Sequence, residues 1–155
     1  MWQLNLPEYK FNIKKSGDKL LIFDSQRSRW VRLTPEEWVR QHFLQFLMQE
    51  KGYPAALLGV ENELKVNGMK KRCDAILYDQ QGRAQVIIEF KAPTVALTQK
   101  VFDQTAVYNR TLGVDYLMIS NGMQHICCRV DRVEQRYEFL PEIPAYSMFR
   151  AEELL

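Results

Sequence analysis

Residues 70–91 read KKRCDAILYDQQGRAQVIIEFK, and this stretch decides the fold. Two runs rich in Ile, Leu, Val and Tyr flank Asp79-Gln80-Gln81-Gly82, a turn-forming tetrapeptide. A β-hairpin is therefore expected, with strands over 70–78 and 84–91. The second run, Ala84 to Phe90, is largely apolar, which suits a central strand covered on both faces. Side chains alternate along a strand, so Ile87, Glu89 and Lys91 share one face. With the turn centred between Gln80 and Gln81, Asp74 falls opposite Ile87, on that same face and one diagonal step from Glu89. Diagonal neighbours lie roughly 7–8 Å apart at the backbone and closer at their tips. Two carboxylates and an ammonium are thus expected to converge near the end of a strand pair.

Working outward, Pro93 stops the second strand and Thr98–Leu112 reads as a helix, with Val101, Thr105, Tyr108 and Leu112 on one side and Gly113 as its stop. Tyr116–Ser120, an Asn121-Gly122 turn and Gln124–Val130 read as a hairpin, followed by a last strand near Tyr137–Leu140 and a tail punctuated by proline. Upstream, Gly59–Val66 reads as a half-buried strand ending in an Asn67-Gly68 turn. Before it, Thr34-Pro35-Glu36-Glu37 opens a helix: Thr34 can cap, Pro35 suits the first helical position and Glu37 completes a capping box. Its apolar stripe is Val39, Phe43, Phe46 and Leu47. Residues 1–33 read as short strands over Tyr9–Lys14, Leu20–Asp24 and Trp30–Leu33. The order predicts an α/β (α+β) domain, a mixed sheet flanked by helices. One domain is expected over 1–155: N-terminal strands (1–33), a core (34–130), then a C-terminal strand and tail (131–155).

Composition removes many functions. The 155 residues are 46% hydrophobic and 26% charged, ordinary for a globular domain that builds a core without metal or disulfide staples. Lys and Arg number 21 against 19 Asp and Glu, so the net charge of +2 excludes a histone-like polycation. Basic residues do cluster locally, at Lys65, Lys70, Lys71 and Arg72 and at Arg27, Arg29 and Arg32. Cys73, Cys127 and Cys128 make no disulfide framework, which points to a reducing cytoplasm. Neither a targeting segment nor a membrane-length apolar run is visible. The sequence holds no Walker A motif, Gly-rich dinucleotide turn or nucleophile-elbow serine, so no nucleotide cofactor is expected of this chain. With only His42 and His125, a histidine-rich zinc site is not expected. What remains is chemistry by carboxylates and lysine.

Asp74 and Glu89 are the residue types that bind Mg²⁺, a hard cation that wants oxygen ligands and keeps several waters. An ion there can bind a phosphate oxygen and lower the pKa of an attacking water, while Lys91 orients that water or neutralises charge on the phosphate. Glu-x-Lys also occurs as a plain surface ion pair. What favours the site is the second acid on the partner strand, the basic run beside it and the helix that follows.

Cys73-Asp74 followed by Glu89-Phe90-Lys91 resembles the bipartite motif of the PD-(D/E)XK nuclease superfamily, with Cys73 where the name has proline. Gln104-Thr-Ala-Val-Tyr108 resembles the Gln-x-x-x-Tyr element of one of its branches. Together with Thr34–Gln41, Lys71–Asp74 and Ile88–Pro93, these motifs resemble the N-terminal domain family of type I restriction enzyme R subunits, over roughly residues 30–130. The resemblance implies a restriction-endonuclease-like fold with an N-terminal strand extension. It also implies metal-dependent endonuclease chemistry on DNA in a restriction, defence or DNA-processing system. It makes Asp74 and Glu89 ligands of Mg²⁺ or Mn²⁺, the Phe90 carbonyl a further ligand and Lys91 the catalytic lysine. Gln104 and Tyr108, four apart on one helical face, would support the site or touch the nucleic acid, as would Lys70, Lys71 and Arg72. Glu37 matches an acidic position on the first helix, although capping alone accounts for it, and Glu63 is a further acid. Relatives sit at the head of a long translocating subunit, so the chain is expected either to cut alone, to join other subunits of a restriction-type complex, or to bind without cutting. The alternative to a nuclease is a catalytically silent nucleic-acid-binding or assembly module of the same fold; a third reading is a protein-interaction domain.

Overall fold

In a computed structural model of the protein, residues 1–66 and 68–153 are described. Strands β1 (Ile13–Ser16), β2 (Lys19–Asp24) and β3 (Arg29–Arg32) form an antiparallel three-stranded sheet of their own. Helix α1 (Pro35–Glu50) follows, capped by the Thr34 hydroxyl, which accepts from the Glu37 N–H at 3.1 Å. Next come β4 (Leu58–Val60), β5 (Glu63–Val66), β6 (Met69–Arg72), β7 (Ala75–Tyr78) and β8 (Ala84–Phe90). Helix α2 (Gln99–Arg110), β9 (Tyr116–Ser120), β10 (His125–Asp131), β11 (Arg136–Phe139) and α3 (Tyr146–Glu153) complete the chain. No helix among the described residues is long and apolar enough to cross a membrane.

The principal sheet has the order β11-β10-β9-β8-β7-β4, with β8 and β9 parallel and every other pair antiparallel. A parallel pair needs a long crossover, and α2 supplies it between β8 and β9. One face buries Val86, Ile88 and Phe90 of β8 against Val39, Phe43 and Leu47 of α1 and Phe149 of α3. The other buries Ile76, Ile87, Leu117 and Ile119 against Phe102 and Ala106 of α2. Strand β8 is covered on both sides, which is why its sequence is an apolar run rather than an alternation. This is the mixed α+β architecture that the sequence predicts.

Several expectations change. The strand read over 59–66 is broken at Glu61, whose φ is 52°, and the strand over 70–78 is broken at Cys73-Asp74. Two backbone bonds at 2.9 Å, Glu61 N–H to the Asp74 carbonyl and Cys73 N–H to the Asn62 carbonyl, carry the pairing through the break. Beyond it, β5 and β6 run on as a separate two-stranded ribbon; Asn67 of the expected turn lies outside the described residues. The hairpin register also differs. Ala75 pairs with Ile88 and a bulge falls between Leu77 and Tyr78, so Asp74 comes directly opposite Glu89 instead of Ile87. A slip of two residues preserves the face, because strand side chains repeat every two.

Helix α2 buries Phe102, Thr105, Ala106 and Asn109, whereas Tyr108, read on one side of the helix with Val101, Thr105 and Leu112, is 48% exposed. Lastly, the tail forms α3. Its entry is tied by the Tyr146 N–H donating to the Lys51 carbonyl at 2.8 Å and by the Tyr53 hydroxyl donating to the Pro144 carbonyl at 2.9 Å. A helix this short is marginal alone, so tertiary packing of Phe149 is what makes it. The first strand begins at Ile13 rather than Tyr9.

Candidate active site

Asp74 and Glu89 meet where β7 begins and β8 ends. The Asp74 Oδ2 accepts from the Phe90 N–H at 2.9 Å, which fixes the aspartate against the last turn of its neighbour strand. Glu89 is half-buried on the α2 face, and its Oε1 is buried with no hydrogen-bond partner. Burial raises the Glu89 pKa, the facing Asp74 raises it further, and Lys91 and Asn109 oppose only part of this. Its carboxyl therefore sits well above the usual carboxylate range. Two facing acids, one with an orphaned buried oxygen, form a site that either holds a proton or attracts a cation.

Glu89 and Lys91 line a cleft of about 560 Å³ with Glu36, Arg72, Gln104 and Tyr108. Gln104 and Tyr108 are exposed on α2, while Thr105 and Asn109 form the buried part of the wall. Lys91 is half-buried and anchored by its N–H donating to the Ser120 carbonyl at 2.9 Å. Among the described residues, no group of three or more His, Cys, Asp or Glu converges as a metal cage. Two carboxylates nonetheless suit Mg²⁺, which takes one or two protein acids and fills its remaining positions with water and phosphate. Cys73, adjacent to the site, is fully buried, and burial together with Glu89 and Asp74 pushes its thiol up to about 12, so it is no nucleophile.

The remaining predicted residues separate. Lys71 donates to the Tyr108 carbonyl and, at 2.8 Å, to the Thr111 hydroxyl, with its ammonium 4.3 Å from the Tyr108 ring centroid; it closes the end of α2. Arg72 pairs with Glu61 at 2.7 Å while still lining the cleft. Lys70 is exposed on the ribbon, and Glu63 stands directly opposite Arg72 there.

Glu37 does half of the expected capping: its N–H meets Thr34, but its carboxylate turns to Arg27 at 2.9 Å and Arg40 at 2.6 Å. Arg27 also meets Asp24 and, at 2.8 Å, Glu61, so a balanced network of arginines and acids ties the small sheet and α1 to the ribbon junction. Burial pushes the Glu61 carboxyl up, but Arg27, Arg40 and Arg72 outweigh it and hold it below its ordinary value. The acid of α1 that lines the cleft is Glu36, the neighbour of the one the motif suggests.

Sequence reading also missed Asn109, whose Oδ1 is buried without a partner beside Glu89. Its signal was present: 102, 105, 106 and 109 have the spacing of a buried helical stripe, and Thr105 and Asn109 are its polar members.

Residues 35–144 match the family described as type I restriction enzyme R protein N terminus. Curated protein sequences give no match. Among solved structures, the chain is similar to a fragment of an HsdR subunit of a type I restriction enzyme from Vibrio vulnificus YJ016. The TM-score is 0.51 and the identity 17%, over 79% of this chain and 26% of that one. It is also similar to the DrdV–DNA complex, with a TM-score of 0.46 and 18% identity over 74% of this chain and 11% of that one. A third similar structure, from Anabaena variabilis ATCC 29413, is described as a nuclease belonging to DUF820; the TM-score is 0.46 and the identity 9%, over 82% and 83% of the two chains. The likeness to the Vibrio chain is one of fold, and this chain spans about a quarter of that chain's length.

Proposed function

The chain belongs to the type I restriction enzyme R-protein N-terminal family, and from that membership we propose that it hydrolyses phosphodiester bonds in DNA as a Mg²⁺-dependent endonuclease. The observation that carries this reading is the direct opposition of Asp74 and Glu89, with the Glu89 Oε1 buried and unpartnered, beside a cleft that Glu89 and Lys91, though not Asp74, line. When bound, Mg²⁺ or Mn²⁺ supplies Lewis-acid activation of the phosphate and of its attacking water. Asp74 and Glu89 would hold the ion, with the Phe90 carbonyl as a further ligand. Lys91 orients the water and balances charge growing on the phosphate oxygens. Gln104 and Tyr108, exposed along the cleft, steady the DNA backbone. The chain works in the reducing cytoplasm, as one folded unit, in a complex with other restriction subunits.

The test is cleavage. Plasmid and linear DNA incubated with Mg²⁺ or Mn²⁺ should be cut by wild type, and Lys91→Ala should lower the rate by at least a hundredfold, as expected when a transition-state charge loses its partner. Equal cutting by both proteins would sink the assignment. A second reading, a module of the same fold that binds without cutting, draws on the fact that two acids rather than three converge among the described residues. It predicts salt-sensitive DNA binding, no cleavage and no response of affinity to metal.

A further inference from the structure

The ribbon β5–β6 has two faces with different roles. Leu64 and Lys71 stand opposite each other on one face, where Leu64 packs against the core beneath α2 and Lys71 closes the helix. The other face carries Glu63 opposite Arg72 and Lys65 opposite Lys70, all exposed. Like charges directly across a strand pair destabilise it. Among the described residues, neither Lys65 nor Lys70 has an acid in ion-pair range, whereas Arg72 beside them has Glu61. The face is net positive, since two lysines and an arginine outnumber one glutamate. It begins at Arg72 in the wall of the cleft and runs outward from it.

We propose that this outer face, through Lys65 and Lys70, is a docking surface for the phosphate backbone of duplex DNA leading into the cleft. The face holds no apolar side chain among Glu63, Lys65, Lys70 and Arg72. Protein–protein interface cores are depleted in Lys and Glu and enriched in aromatics, while DNA interfaces are polar and strongly positive. Phosphates on both sides of the lysine pair relieve a repulsion that the free protein carries. A two-stranded ribbon is also narrow enough to follow a major groove. The inference rests on the nuclease reading only for the identity of the polyanion, and it revises the basic run: Lys65 joins the contact set and Lys71 leaves it.

The experiment measures binding of labelled duplexes of two unrelated sequences by fluorescence anisotropy, in chelator, across a salt series. Lys65→Ala combined with Lys70→Ala should reduce the slope of log K against log salt by about two, one for each phosphate contact. At about 0.15 M salt the affinity should fall by roughly tenfold or more, alike for both sequences. The same variant should melt no lower than wild type. Lys65→Glu, which turns a like-charged pair into an opposite one, should melt about 1–3 °C higher while binding DNA more weakly. Arg132→Ala, at the far end of the sheet, should leave the slope unchanged. An unaltered slope in the double variant would overturn the proposal. So would an equal fall in Arg132→Ala, a lysine variant that melts several degrees lower, or a wild type with no salt-sensitive binding. None of these outcomes touches cleavage with magnesium, so the cleft and the ribbon fail separately.

Discussion

Glu89 combines three constraints that rarely coincide at one side chain. It stands one residue from the end of a strand buried on both faces, it faces a second acid across the ladder, and one of its oxygens has no partner. Its pKa is raised first by burial and then by Asp74. A carboxyl whose folded pKa lies above its unfolded value binds more protons in the folded state, so its stabilising contribution is complete below the unfolded pKa and is lost as pH rises through the folded one. In chelator, wild type should therefore lose melting temperature by several degrees as pH climbs from near the ordinary value of 4.5 through neutrality. Glu89→Gln, which cannot ionise, should flatten that slope and be the more stable protein at pH 8. Thermal melts across a pH series decide this, and parallel curves for the two proteins would remove Glu89 as the titrating group.

At the scale of elements, the junction at Glu61 and Cys73-Asp74 is what makes the site. If β4–β5 and β6–β7 were unbroken, Asp74 would be one more ladder residue; the break frees it to turn its carboxylate to the Phe90 N–H. The arginine network around Glu37 and Glu61 holds that junction from the other side. Helix α3 shows a different dependence, since its formation rests on the insertion of Phe149 beside Tyr53 and Tyr116, with ring centroids 5.9 and 4.9 Å away. Phe149→Ala should cost about 3–5 kcal/mol, the range for a fully buried aromatic. In a chain of this size that is a fall of very roughly 8–15 °C. A loss of under about 1 kcal/mol in denaturant titration would mean that α3 is not docked in solution.

For the whole molecule, a cation that binds only the folded state adds RT ln(1 + [L]/Kd), about 2.7 kcal/mol at a hundred times Kd. Wild type should gain roughly 5–10 °C with saturating Mn²⁺, and Asp74→Asn should gain much less. In chelator the same variant should melt no lower than wild type, because it removes a repulsion from Glu89 while keeping the shape. A variant that melts several degrees lower in chelator, with no response of wild type to metal, would instead mark Asp74 and Glu89 as a structural pair.

Sequence by itself determined the elements whose signals are local: the capped start of α1 at Thr34, the helix that becomes α2, the apolar run of β8 and the turn at Asp79–Gly82. It also placed Asp74 and Glu89 on one face, because a strand's period of two survives a register error of two. Tertiary structure alone decided the rest. Where Asp74 stands along Glu89 depended on a bulge at Leu77/Tyr78 that no turn residue announces. Two adjacent acids divided, Glu37 to the arginines and Glu36 to the cleft, because residues one apart on a helix point about 100° from each other. Lys71 met the end of α2 across a separation of 37 residues and Phe149 found its pocket between Tyr53 and Tyr116. Such contacts form only when distant segments are packed together, and the free energy that selects them lies in that packing rather than in any local stretch of chain.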